Sequence, residues 1–114
     1  MKKSRNAKGE EGEDVVVNYL MQNSFDIIER NYRFGKKEID IIARKNDLIV
    51  FVEVKLRTGK KFGFGLESVD YKKRKNIKVS SVYYLLSHGF EEVSVRFDVA
   101  SVDDGKLTYI ENAF

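Results

Sequence analysis

The chain has 114 residues, 42% of them hydrophobic, with 21 basic and 18 acidic side chains for a net charge of +3. That is the size of one domain with one core (residues 1–114), and no apolar run approaches the roughly 20 residues that a membrane-spanning helix needs. The absence of cysteine excludes disulfides, zinc–thiolate sites and a cysteine nucleophile, and a single histidine excludes a multi-histidine metal site and argues against a Ser-His-Asp triad.

Residues 1–8 read as a flexible basic arm. No apolar stretch follows them, so no signal peptide is expected and the cytoplasm is the expected location. A helix is expected from Gly9 to about Gln22, with Val16, Tyr19 and Leu20 forming an apolar stripe at helical spacing. The acids of its first turns suit the positive end of the helix dipole. Glu13 has either that role alone or a second one, as a third carboxylate of the centre described below. Gly9 and Gly12 are either a weak helix start or points where backbone approaches a neighbour or a phosphate closely. Asn23-Ser24 ends the helix, Phe25 to Arg33 reads as a strand, and Phe34-Gly35 turns the chain.

The stretch from Lys37 to Arg57 organises the rest. Two apolar, β-rich runs flank Lys45-Asn46-Asp47, the signature of a β-hairpin. With Asn46 and Asp47 as the loop, Lys45 lies opposite Leu48. Counting outward, Asp40 then faces Glu53 and Glu38 faces Lys55. A four-residue loop keeps this pairing, whereas a three-residue loop shifts it by one and separates the partners. Directly opposed residues sit roughly 4.5–5.5 Å apart at Cβ, and like charges there repel. Glu53 and Lys55 have an ordinary reading, the solvated face of an edge strand. Against it, Leu48 to Val54 is apolar on both faces except at Glu53, which is the pattern of a buried central strand. A charge there is costly unless it is paired or metal-bound. Two carboxylates call for a hard divalent cation, Mg²⁺ or Mn²⁺, and Lys55 follows on the same face as Glu53.

Arg57 to Gly65 is expected to be a loop in which glycine, base and aromatic residues alternate. It reads either as a clamp, with Lys60 and Lys61 on phosphates and Phe62 or Phe64 on a base or sugar, or as a surface loop whose phenylalanines tuck into the core. A second helix is expected over Leu66 to His88, with Ile77, Ser81, Tyr84, Leu85 and His88 on one face. The run Lys72, Lys73, Arg74, Lys75 in its first half is either a solvated face or a surface for a nucleic-acid backbone. Bases this early oppose the helix dipole. His88, next to Gly89, reads as a C-terminal helix residue rather than a ligand.

Ser94 to Val102 reads as a fourth strand with Val93, Val95, Phe97 and Val99 alternating, Asp103-Asp104-Gly105 as a hairpin turn, and Leu107 to Ile110 as a short fifth strand. The crossing from the third strand through the second helix to the fourth would be parallel and right-handed. The expected fold is α/β, a mixed five-stranded sheet flanked by helices in the order α-β-β-β-α-β-β. Basic clusters around an acidic focus suit a metal centre that meets a polyanion.

Taken together these residues resemble the PD-(D/E)xK nuclease superfamily, with its restriction-endonuclease-like fold. They resemble more closely the YraN-like family of small bacterial proteins, read as endonucleases and similar to archaeal Holliday-junction resolvases. The resemblance runs through Gly9-x-x-Gly12-Glu13 with Tyr19-Leu20, Arg30-Asn31-Tyr32-Arg33, Glu38-Ile39-Asp40-Ile41-Ile42-Ala43 and Val50-Phe51-Val52-Glu53-Val54-Lys55-x-Arg57. It continues through Gly63, Val69, Lys73 and Arg96-Phe97-Asp98-Val99. Lys37 departs from it, standing where that family usually has glycine. The resemblance implies that Asp40, Glu53 and the main-chain carbonyl of Val54 hold the metal, Lys55 positions the attacking water, and Glu13 completes or orients the metal shell. It implies DNA as the partner and a homodimer where two strands are cut; the basic residues Arg57, Lys60, Lys61, Lys72, Lys73, Arg74 and Lys75 are then the candidates for contact with the DNA backbone. Two other functions fit the composition: a non-catalytic nucleic-acid-binding module on the same fold, and a small interaction protein using Tyr71, Tyr83 and Tyr84.

Overall fold

The computed structural model of the chain describes residues 7–57 and 71–114. Helix α1 (Ala7–Gln22) leads into strands β1 (Asp26–Phe34), β2 (Lys37–Lys45) and β3 (Leu48–Arg57). Helix α2 (Tyr71–Ser87) and strands β4 (Ser94–Asp103) and β5 (Lys106–Ile110) follow. The expected clamp residues Lys60, Lys61, Phe62 and Phe64 and the expected start of α2 at Leu66 lie outside the described residues.

The five strands form one sheet in the order β1-β2-β3-β4-β5. β3 and β4 run parallel, with α2 between them in the chain, and every other neighbouring pair is antiparallel. Tight turns set the hairpins. Asp104 (φ 51°) and Gly105 (φ 84°) join β4 to β5 in the left-handed conformation that two-residue hairpin loops favour. Asn46 (φ 56°) opens the Asn46-Asp47 loop between β2 and β3. That two-residue loop pairs Lys45 with Leu48, as the sequence register requires.

The sheet has a helix on each face. Val16 and Leu20 of α1 pack on Ile41, Ala43, Val50, Val52, Val54, Ala100 and Val102. Ile77 and Tyr84 of α2 pack on Ile39, Ile42, Ile49 and Phe51. β3 is buried from Ile49 to Val54, as expected of a central strand covered on both sides. β4 departs from the expected one-sided alternation. Val95 is exposed, while Ala100 and Val102 are buried against the α1 layer. Tyr84 is buried as well, so it offers nothing to a partner surface. No helix among the described residues is long and apolar enough to cross a membrane.

Gly12 lies where α1 crosses β3, and a Cβ there would overlap the Leu56 side chain. The close neighbour is thus Leu56. Leu56 is 42% exposed and free to rotate outward, and alanine is about 1 kcal/mol better than glycine inside a helix. Gly12→Ala is therefore expected to change the urea-unfolding free energy by less than about 1 kcal/mol.

One irregularity shapes the site. Strict alternation would put Ile39 on the same side as Ile41 and Ala43, yet Ile39 packs in the α2 layer and the other two in the α1 layer. β1 changes sides at the same level. Arg30 reaches the acids of α1, while Tyr32 meets Tyr84 of α2 edge-on at 5.0 Å. Between them Asn31 takes φ 57°, a left-handed conformation that asparagine tolerates better than most residues. Asp40 sits at this break, between Ile39 and Ile41.

Candidate metal centre

The ladder between β2 and β3 ends at the pair Ile41–Val52. The next level, Asp40 and Glu53, is not joined by backbone bonds. Instead the Val54 N–H donates to Asp40 Oδ2 at 2.8 Å. The carboxylate caps the separating strands, and the expected facing of Glu38 and Lys55 is not realised, because the strands have parted before that level. The parting opens a cleft of about 490 Å³ on the α2 side. Lys36, Lys37, Glu38, Asp40, Glu53, Val54, Lys72, Lys73, Asn76 and Ile77 line it. Asp40 and Glu53 thus meet in one cavity although the register that aligns them has dissolved.

Glu53 is 3% exposed. Lys73 Nζ lies 2.6 Å from its Oε2, and Lys55 Nζ approaches the same oxygen at 3.9 Å. Burial, and then the Lys73 charge, pulls the Lys55 ammonium below its usual range. Burial works against Lys73 too, but the hydrogen bond and charge of Glu53 hold it above its usual range. For Asp40 burial wins. Burial and the Glu53 charge push its carboxyl from 3.8 up to about 7, with Glu13 and Glu38 adding to the rise and the Val54 N–H opposing it.

Glu13 is buried on the α1 side, with Arg30 Nη2 at 3.5 Å from its Oε1 and 3.1 Å from Asp14 Oδ1. Its charge is felt by Asp40, but it does not line the cleft. Among the described residues no three acidic, histidine or cysteine side chains already form a group able to hold a metal. Two carboxylates with hard oxygen donors, one of them pushed up in pKa by burial and by its neighbour's charge, do suit a divalent cation.

The expected nucleic-acid residues divide. Lys72 and Lys73 face the cleft, whereas Arg74 and Lys75 line a separate hollow with Tyr71, Lys78 and Val82. One basic run winding round a helix cannot present one face. Arg57 points elsewhere, toward Asp103 at 3.8 Å and a hollow beside Gly12 and Leu56. His88 holds the end of α2, its Nδ1 2.9 Å from the Tyr84 carbonyl oxygen. Sequence reasoning assigned Lys73 to phosphate and missed its place on Glu53. A signal was present: Lys73 lies one turn before Ile77 on the stripe that continues to Ser80, Ser81 and Tyr84, all buried. It also missed Arg30 as the partner of Glu13.

The state of Asp40 has a measurable consequence. Its proton is held to about pH 7 in the folded protein and released near 3.8 in the unfolded chain. Between those values the folded state binds more protons, so Asp40 lowers stability as pH rises through the window. At 1.36 kcal/mol per pKa unit the ceiling is about 4 kcal/mol. Without metal, Asp40→Asn is expected to match wild type in urea unfolding near pH 4 and to exceed it increasingly up to pH 8. A difference that stays flat with pH would contradict this.

Residues 12–102 match the model of the uncharacterised protein family UPF0102. A UPF0102 protein of Clostridioides difficile is 46% identical over 109 residues, covering 94% of this chain and 96% of its own length. Those of Persephonella marina and Thermodesulfovibrio yellowstonii are 42% and 43% identical. Their alignments cover 94% and 93% of this chain, and 92% and 94% of the relatives.

Proposed function

The chain belongs to the UPF0102 family, the YraN-like family that its motifs resemble, and within it we propose that this protein is a metal-dependent endonuclease that hydrolyses DNA phosphodiester bonds, on branched or otherwise structured DNA. The observation that carries this reading is the meeting of Asp40 and Glu53 in one cleft beside Lys55, with the Asp40 carboxyl pushed up to about 7 by burial and by Glu53.

Asp40, Glu53 and the Val54 carbonyl would hold Mg²⁺ or Mn²⁺, which when bound polarises the phosphate and lowers the pKa of a bound water. The chain's own residues do the rest. The Val54 N–H orients Asp40 Oδ2. Lys55, held below its usual pKa range by burial and by Lys73, stands where it can order a water and offset charge on the phosphate. Glu13, held by Arg30 on the α1 side, adds negative charge that Asp40 feels and that a bound cation would offset. Lys36, Lys37 and Lys72 line the cleft and attract a polyanion. On this reading the protein works in the cytoplasm, and as a homodimer where two strands are cut.

The test is a cleavage panel of linear, single-stranded, flapped and four-way DNA with each metal and with chelator. Cutting of at least one substrate that chelator abolishes is the expected result; no metal-dependent cutting of any substrate overturns it. A second reading, a non-catalytic nucleic-acid-binding module, draws on the fact that Glu53 already has a cation in Lys73. DNA binding that is equal with and without metal, with no cleavage across the panel, would favour that reading.

A further inference from the structure

Glu53 already has a cation, and the proposed centre asks it to take a second. Its Oε2 holds the Lys73 ammonium at 2.6 Å, and the same carboxylate lines the cleft with Asp40. A divalent ion of this size binds carboxylate at about 2.0–2.2 Å. At that distance an ion on the Glu53 carboxylate and the ammonium on its Oε2 would face each other with like charges at close range. Lys73 is built to yield. Its root lies on α2, one turn before the buried Ile77, while its side chain is 43% exposed on a flexible stem. Glu53 is fixed, 3% exposed in the central strand, where an ionised carboxylate is costly without a positive partner.

We propose that Lys73 is the resident counter-ion of Glu53 in the metal-free protein, and that its ammonium leaves the carboxylate when a divalent cation binds there. The exchange keeps the buried carboxylate neutralised in both states. It also releases a cation into the cleft wall beside Lys72, where the phosphate would arrive. Lys73 is thus a positioning residue that sets metal affinity through Glu53. This inference rests on the reading of Asp40 and Glu53 as metal ligands, and does not require that cleavage occur.

The test measures Mn²⁺ binding by titration calorimetry on wild type, Lys73→Met and Lys73→Arg, without DNA. With the competitor removed, Lys73→Met is expected to bind Mn²⁺ on the order of tenfold more tightly, while Lys73→Arg, which keeps the charge, stays close to wild type. A merely structural lysine would leave affinity unchanged or weaken it, and either result overturns the exchange. Should Lys73→Met fail to fold, ¹⁵N-lysine NMR of the wild type decides. The hydrogen-bonded Lys73 ammonium signal is expected to move as Mg²⁺ saturates the protein, and an unmoved signal at saturation overturns the exchange. No metal binding by either protein would fell the metal centre and the exchange together. Binding with exchange but no cleavage of any substrate would fell the nuclease reading alone.

Discussion

Asp40→Asn and Glu53→Gln are each expected to lower Mg²⁺- or Mn²⁺-dependent DNA cleavage on the order of 10³-fold or more. A bound metal contributes several kcal/mol of charge stabilisation in the transition state, and each 1.36 kcal/mol is tenfold in rate. Either amide keeps the volume and one oxygen acceptor of the acid but loses the charge that holds the cation. Loss of activity from misfolding is separable at Asp40. The asparagine can still accept from the Val54 N–H, as Asp40 does at 2.8 Å. Without metal it removes the penalty of ionising a carboxyl whose pKa stands near 7. Above neutral pH, Asp40→Asn should therefore be more stable than wild type and inactive. Cleavage that persists in both variants would show that the centre has been placed on the wrong residues.

Asp98→Ala is expected to cost about 3–5 kcal/mol, the scale of breaking a buried charged pair by removing one partner. Asp98 is wholly buried in β4, and each of its oxygens accepts two hydrogen bonds. Arg96 donates from Nε to Oδ1 at 2.9 Å and from Nη2 to Oδ2 at 3.0 Å. The Tyr109 hydroxyl donates at 2.6 Å and the Asn112 N–H at 2.9 Å. Burial and this bond to Asp98 raise the Tyr109 phenol well above its usual range. One carboxylate thus ties β5 and the segment after it back onto β4, and alanine would strand a phenol and a backbone N–H and leave Arg96 only Glu111, at 3.7 Å. At 4–8 °C per kcal/mol for a domain of this size, thermal unfolding should fall by at least about 12 °C. A loss under about 1 kcal/mol would mean that water replaces the carboxylate without penalty. The measurement is calorimetric, and Asp98 lines no part of the cleft.

Most of the architecture was legible along the chain because its signals are local. The apolar stripe of α1, the Asn46-Asp47 and Asp104-Gly105 turns and the unbroken apolar run of β3 each specify an element within a few residues. The candidate centre was legible for a related reason. A two-residue loop sets the parity of pairing, and parity aligned Asp40 with Glu53. The count failed beyond Ile41–Val52, so that neither Asp40–Glu53 nor Glu38–Lys55 is a ladder pair, because it assumes a regular pleat. The left-handed Asn31 and the side change at Ile39 interrupt that pleat.

By itself, then, the sequence determined the elements, their order, the hairpin register as far as Ile41–Val52 and the presence of two acids just beyond it, since all of these follow from spacing and turn chemistry between near neighbours. Only the tertiary structure decided that the strands part beyond Ile41–Val52, that Glu13 belongs with Arg30 on the α1 side, and that Lys73 lies on Glu53. Those contacts join side chains from separate elements. They depend on how each helix packs across the sheet, and no periodicity within one segment encodes that.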